Sequence, residues 1–381
     1  MITSLSLSNF KCFKTIDNMI FKQITLLTGS NGRGKSSILQ SLLILAQSFQ
    51  SGKNIEFVKL NGRFVCLGTY NDVLSKGVDT NNFSIAFKSD DPDENDVIFT
   101  CMPLDGKNRL ADLKSLLISY IDGEKKELIN NVGSNDDDSN SISATTKGST
   151  SAIAIVNQLR NFYYVSANRV GPTNYVTPRN DEVNGNQIGI HGEYVINTLK
   201  ESEESLVKQV AAEISSIMGG ASVKVDEIDT EYLKLLLDSQ DNNEGFKPVN
   251  VGFGYSYILP LVVLPLVVEP NSKLILENPE AHLHPGAQSR LMKFLIRIAK
   301  EKKLQLFIET HSDHIINALR IAVKDSLCQI IHKDATIIHV GRDKTSEDSI
   351  FWQINIDSYG NLSDYPNEFM DEWTNQMLNL V

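Results

Sequence analysis

Residues 29–36 read GSNGRGKS, and they carry the plainest chemistry in the chain. Gly29, Gly34, Lys35 and Ser36 fall at the spacing of a phosphate-binding loop, G-x-x-x-x-G-K-[ST]. The residue types suit that task. Glycines let the backbone N–H groups of Ser30, Asn31, Gly32, Arg33 and Gly34 turn inward around a β-phosphate. Lys35 would bridge the β- and γ-phosphates, the Ser36 hydroxyl would take one position on Mg²⁺, and Ser37 completes the phosphate-binding set. The flanking residues supply the required context. Residues 23–28, QITLLT, predict a short apolar strand ending at Gly29. Residues 35–48 carry apolar side chains at 38, 39, 42, 43, 45 and 46, which predicts a helix whose N-terminus adds its dipole to the anion site. The expected ligand is a nucleotide, ATP, with Mg²⁺.

A second chemical cluster lies far along the chain. In KLILENPEAHLHP the strand-like LIL ends at Glu277, with Glu280 three residues on. An acid in the place of Glu277 holds Mg²⁺ or its water in phosphate-loop ATPases. His282, His284, His311 and His314 have ligand-like spacing, yet no cysteine partners them and the expected γ-phosphate lies beside them, so a transition-metal site is disfavoured. Lys293, Arg297, Lys300, Lys302 and Lys303 form a basic stretch that could contact nucleic acid, but a solvated helix face is the favoured reading.

The elements that must position these groups change character along the chain. Residues 2–10 and 19–28 predict two strands joined by a turn around Asp17 and Asn18. Short strands follow over 51–74, 83–88 and 97–102, a spacing that suits an antiparallel meander. Residues 130–151, nearly all Ser, Asn, Asp, Thr and Gly, read as a mobile loop. A strand is expected within 162–172, and helices over 193–218 and 225–239. From 249 onward strands and helices alternate: a strand at 273–277, a helix at 287–300, a strand at 304–309, a helix at 315–324 and a strand at 336–340. Alternation of this kind predicts a parallel sheet with ligands at the strands' carboxyl ends. The expected segments are 1–74 with the phosphate loop, 75–245 as an insertion, and 246–381 with the acid.

Composition sets outer limits. The 381 residues are 41% hydrophobic and 22% charged with a net charge of −11, which is ordinary globular composition and argues against a generally nucleic-acid-coating surface. Four scattered cysteines suggest a reducing compartment without a disulfide framework. The longest apolar run, 258–268, is too short to span a membrane and contains Pro260 and Pro265, so it predicts a buried segment. The expected location is cytoplasmic, with no membrane contact.

SLSNFKCF, GSNGRGKS, VNVGFGYS, ENPEAHLHP and ETHSDHIINAL follow one another in the order of ABC-type ATPase heads. The chain resembles the RecF / overcoming-lysogenization-defect / structural-maintenance-of-chromosomes branch, and within it the small standalone bacterial AAA-family ATPases common in anti-phage defence loci. The resemblance covers residues 1–74 and 249–381, with weaker matches at ANRVGP and HGEYVINTL. It implies an α/β head with a mixed sheet, an N-terminal antiparallel β-subdomain and an inserted, mostly helical lobe. It also implies a homodimer or higher homo-oligomer in which two ATP molecules are sandwiched head to tail. Asn250, Gly252 and Ser256 lie where the ABC signature contacts the partner subunit's nucleotide, although Asn250 replaces the usual serine. His311 matches the switch histidine that reads the γ-phosphate, and Phe10 and Lys11 match a segment near the adenine. No Q-loop glutamine is evident.

One departure bears on catalysis. ABC heads carry a second acid after the metal acid, to polarise the attacking water; Asn278 stands there instead. An amide orients water without accepting its proton. Either Glu280 takes over, or hydrolysis is slow and ATP acts chiefly as a ligand that holds the dimer. The expected catalytic set is therefore Lys35, Glu277, Asn278, Glu280 and His311. The leading expectation is an ATPase that regulates a protein effector, a nuclease or toxin, in anti-phage defence. The alternatives are a RecF-type repair factor, which would bind nucleic acid, and a nuclease like the overcoming-lysogenization-defect proteins.

Overall fold

A computed structural model describes residues 1–50, 57–90, 96–103, 110–119, 125–127, 155–171, 173, 175–176, 188–220, 222–227, 233–238, 247–250, 252–343 and 348–380. The Ser/Asn/Asp-rich stretch at 130–151 lies outside them. The chain divides into two compact units. Unit one comprises Met1–Phe162, Thr336–Ile354 and Asp364–Val381; unit two comprises Tyr163–Ala335 and Asn355–Ser363.

Unit one contains an antiparallel sheet. Its strands are β1 (Ile2–Phe10), β2 (Phe13–Ile20), β4 (Phe57–Lys59), β5 (Phe83–Ser89), β6 (Asp96–Pro103), β7 (Leu110–Ser119) and β8 (Lys125–Glu127), in the order β2-β1-β5-β6-β7-β4 with β8 on β7. The expected meander is present. The expected turn at Asp17 and Asn18 is not: β2 runs through it, and the chain reverses at Lys11 and Cys12, with Lys11 in the left-handed region at φ 55°. Residues 17 and 18 form an irregularity in the ladder, where Ser6 Oγ accepts from the Asn18 N–H at 2.9 Å. A polar Asx pair can serve a bulge as well as a turn, so composition alone left the reversal misplaced.

The same unit holds β3 (Ile24–Gly29), β15 (Ala335–Arg342) and β16 (Ser349–Asn355), with β15 between the other two. All six residues of β3 are buried, as a strand covered on both faces requires. α1 (Lys35–Gln50) follows and buries Ile38, Leu39, Leu42, Leu43, Leu45 and Phe49. A short α2 (Tyr70–Val73), a helical turn α3 at 155–160 and the terminal α9 (Glu372–Asn379) complete it.

In unit two, β13 (Lys273–Glu277) lies between β9 (Phe162–Val165) and β14 (Gln305–Glu309), and β13 and β14 pair in parallel, Glu277 opposite Glu309. α7 (Pro285–Glu301) and α8 (Asp313–Lys324) follow these strands, as the alternation predicts. The apolar run is part of α6 (Phe253–Val267), buried nearly all round, with Pro260 and Pro265 inside the helix. Among the described residues, the inserted region departs from expectation in two places. α4 (Val195–Glu201) and α5 (Glu204–Met218) break the predicted 193–218 helix at Ser202, and the predicted helix at 225–239 is absent. Instead β11 (Ser222–Glu227) and β12 (Leu233–Asp238) form an antiparallel ladder, with β10 (Tyr175–Val176) on β12. Val223 and Val225, and Leu233, Leu235 and Leu237, alternate with period two, which is the strand period.

Candidate functional site

The phosphate loop lies in unit one between β3 and α1. Gly29 and Gly34 adopt φ 128° and 114°, conformations that side chains rarely reach. A Cβ on Gly29 would lie 2.0 Å from the Val340 carbonyl oxygen, and one on Gly34 would meet the Phe13 ring at 2.5 Å and Cys12 Sγ at 2.6 Å. A Cβ on Gly32 meets nothing within 4 Å. The defining glycines thus answer a packing demand, whereas Gly32 answers only a backbone one. Lys35 is buried, and its Nζ donates to the Gly29 and Ser30 carbonyls at 2.7 and 2.9 Å. Ser36 is exposed on the first turn of α1, and that turn contains no acidic residue to offset the helix's positive end. Donors, charge and curvature all fit a polyphosphate.

Two neighbours of this loop qualify the sequence reading. The Phe10 ring is fully buried against Phe83, so it offers no face to an adenine. Lys11 is half-buried, with Nζ on Gln40 Oε1 at 2.6 Å, and burial lowers its pKa. From the carboxyl end of the chain, the Glu368 carboxylate accepts a hydrogen bond from the Ser30 hydroxyl. No spacing rule links residues 338 apart, and that contact was invisible in the sequence.

The acid loop lies in unit two. Glu277 ends β13, its Oε2 accepting from the Ala167 N–H at 3.1 Å and its carboxylate also hydrogen-bonded by the Tyr164 hydroxyl. Burial raises the Glu277 pKa despite these donors and the nearby Arg169 charge. Asn278 follows at φ 44°, its N–H donating to the Glu309 carbonyl at 2.8 Å. Glu280 has both oxygens engaged: Thr310 Oγ1 donates to one at 2.8 Å and the His311 N–H to the other at 2.8 Å. It therefore ties the acid loop to the loop that follows β14. His311 is exposed beyond β14. His284 serves as the N-cap of α7, accepting from the Gly286 N–H at 3.2 Å.

A raised glutamate pKa has a stability consequence. Above the ordinary range, near 4.5, the folded state holds the proton more tightly than the unfolded state, so ionisation of Glu277 counts against folding as pH rises. The metal-free Glu277→Gln variant should unfold at a higher temperature than the parent at pH 8, and the advantage should shrink as pH falls towards 4.5. Calorimetry at the two pH values checks this; an equal or lower midpoint at pH 8 would contradict it.

At the signature-like turn, Asn250, Gly252 and Phe253 are exposed, Phe253 at 58%. Ser256 is not at that surface. It sits on the buried side of α6, because the helix begins at Phe253 and residue 256 has turned inward. The basic stretch is largely occupied internally: Arg297 pairs with Glu213 at 2.6 Å, Lys300 with Asp334 at 2.8 Å, and Lys302 donates to the Leu266 carbonyl at 2.9 Å. Among the described residues no helix is long and apolar enough to cross a membrane, and no three His, Cys, Asp or Glu side chains converge as a metal site.

A phosphate loop on a buried strand and an acid ending a parallel strand define a P-loop ATPase of the α/β class. Residues 24–317 match the family described as AAA domain, putative AbiEii toxin, type IV TA system, and the chain belongs to that family. Residues 330–380 match a family described as a protein of unknown function, DUF3696. The chain is 33% identical over 69 residues to the DNA replication and repair protein RecF of Clostridioides difficile (strain 630), a stretch of 18% of this chain and 19% of that protein. It thus covers about a fifth of that relative's length. Solved structures with a similar course include an SMC head bound to the C-winged helix domain of ScpA, at 13% identity and TM-score 0.49 over 93% of this chain and 97% of that one. The SMC head domain from Thermotoga maritima is similar at 13% identity and TM-score 0.45, over 92% and 98%.

Proposed function

We propose that the chain binds Mg·ATP and hydrolyses it slowly, the nucleotide acting mainly as a ligand that joins two copies and controls a protein effector of the nuclease or toxin kind. The observation that carries this reading is the acid loop, where an amide, Asn278, follows the metal acid and Glu280 has both oxygens bound. The amide cannot accept water's proton, and the hydrogen bonds to Glu280 favour its structural use over a catalytic one. In this reading Gly29, Ser30, Asn31, Gly32, Arg33, Gly34, Ser36 and Ser37 hold the phosphates and Lys35 neutralises the β- and γ-oxygens. Ser36 and Glu277 hold Mg²⁺, whose oxygen-ligand preference their hydroxyl and carboxylate meet. Bound there, the metal offsets phosphate charge. Asn278 orients the attacking water, His311 reads the γ-phosphate, and Lys11 lies towards the base. Asn250 and Gly252 meet the nucleotide of a second copy. Anti-phage defence is the setting that the resemblance favours.

The test is ATP turnover by the purified chain with its solution mass measured with and without Mg·ATP. Slow turnover with an ATP-dependent rise in mass is expected. Asn278→Glu should raise turnover about 10- to 100-fold by restoring a proton acceptor. Brisk turnover by the parent, or no gain in the variant, would overturn the slow-switch reading. The internal pairing of Arg297, Lys300 and Lys302 lends no support to a RecF-like role, which would instead show as DNA-stimulated turnover.

A further inference from the structure

Arg169, in the weakly matching ANRVGP stretch, lies outside the phosphate-loop and acid-loop motifs, yet it is almost completely buried, 2% exposed, beside the acid loop. Its guanidinium donates to three backbone carbonyls: Nη1 to Ser166 at 3.3 Å and to Glu277 at 2.8 Å, and Nη2 to Asn278 at 2.7 Å. Its carbon lies 5.5 Å from the centroid of the Tyr257 ring on α6, and that ring packs at 4.4 Å on His282. Among the described residues Nε meets no acceptor. Burial lowers the Arg169 pKa to about 10, while Glu280, Tyr257 and Glu277 act in the other direction. Burying a cation is costly, and a guanidinium kept in such a place fits three planar acceptors that an ammonium cannot span.

What it grips is the joint of the acid loop. The Glu277 and Asn278 carbonyls bracket the peptide at which the chain leaves β13 and enters the left-handed region at φ 44°. The Asn278 N–H is fixed from the other side by Glu309. Rotation of that peptide would swing both the Glu277 carboxylate and the residue-278 side chain.

We propose that Arg169 is a positioning residue for metal-dependent nucleotide binding, holding the Glu277–Asn278 peptide so that the Glu277 carboxylate faces Mg²⁺ and residue 278 faces the attacking water. The inference rests on the Mg·ATP reading above and goes beyond it by assigning the orientation of the acid loop to a side chain outside the nucleotide motifs. Loss of such an outer support typically costs 10- to 100-fold in metal affinity or activity.

The experiment measures ATP binding by the full-length chain with a fluorescent ATP analogue, in EDTA and across a Mg²⁺ titration, for the parent, Arg169→Lys and Arg169→Met. Thermal unfolding accompanies each variant. The expected result is that Arg169→Lys binds the analogue normally in EDTA but needs about tenfold more Mg²⁺ for half its metal-dependent gain in affinity. The gain in turnover from Asn278→Glu should also shrink in the Arg169→Lys background, because the two act through one peptide. A merely structural role would lower metal-free and metal-dependent binding together, in step with the unfolding midpoint, and that result overturns the proposal. So does an unchanged Mg²⁺ requirement in both variants. Failure of the underlying reading looks different: the parent itself would bind no analogue, with or without Mg²⁺. Should Arg169→Met fail to fold, Arg169→Lys, which keeps the charge, carries the comparison.

Discussion

Lys35→Met is expected to lower ATP turnover by about 10²–10³-fold and to weaken ATP binding with it. The side chain is buried, and the charge that it delivers cannot be replaced from solvent. Its Nζ lies on the Gly29 and Ser30 carbonyls, so the ammonium is already at the loop that phosphates would enter. A preorganised charge of this kind needs little rearrangement when the β- and γ-oxygens arrive, and it strengthens its hold as negative charge builds between them. Methionine keeps the apolar stem and its packing but removes both the charge and the donors. Turnover assays and nucleotide titration of the folded variant decide the matter: parental turnover with Lys35→Met would remove the phosphate loop from the mechanism.

Gly29→Ala should destabilise the fold by about 2–5 kcal/mol, combining a left-handed backbone with overpacking. The new methyl would sit 2.0 Å from the Val340 oxygen, so β15 or the loop must move. The backbone oxygen cannot swing aside as a flexible side chain would. Gly32→Ala is the natural control. It carries the backbone penalty at φ 74° but meets no atom within 4 Å, and it should cost only about 1 kcal/mol. Urea unfolding of the two variants separates steric from torsional cost. Equal midpoints would mean that the loop lifts freely from β15, against the packing described here.

The contrast between these glycines shows where reading the chain stops. The loop motif fixes Gly29 and leaves position 32 open, but it gives no reason for the difference; the neighbouring strand supplies it, through the Val340 oxygen. Glu280 shows the same limit from the other side. Its spacing from Glu277 made it a natural second acid, and three residues of sequence cannot reveal that Thr310 and the His311 N–H occupy its oxygens. Phe10 and Ser256 were placed by motif position; Phe10 is fully buried, and Ser256 lies on the inner side of α6, away from the exposed turn at Asn250, Gly252 and Phe253.

By itself the sequence determined the phosphate loop, the acid that ends an apolar strand, the alternating strands and helices after residue 249 and the antiparallel opening of the chain. These are local properties: a glycine pattern, a hydrophobic period and a charge at the end of an apolar run are each legible within about a dozen residues. Tertiary structure decided what depends on partners distant in the chain. It made Ser222–Glu227 and Leu233–Asp238 strands where a helix was expected, because a ladder supplies hydrogen bonds that no short window displays. It also brought Arg169 onto carbonyls more than a hundred residues away. ANRVGP marked the stretch that holds Arg169, but the guanidinium finds its acceptors only after β9 and β13 have come together, so no local pattern could show what it grips.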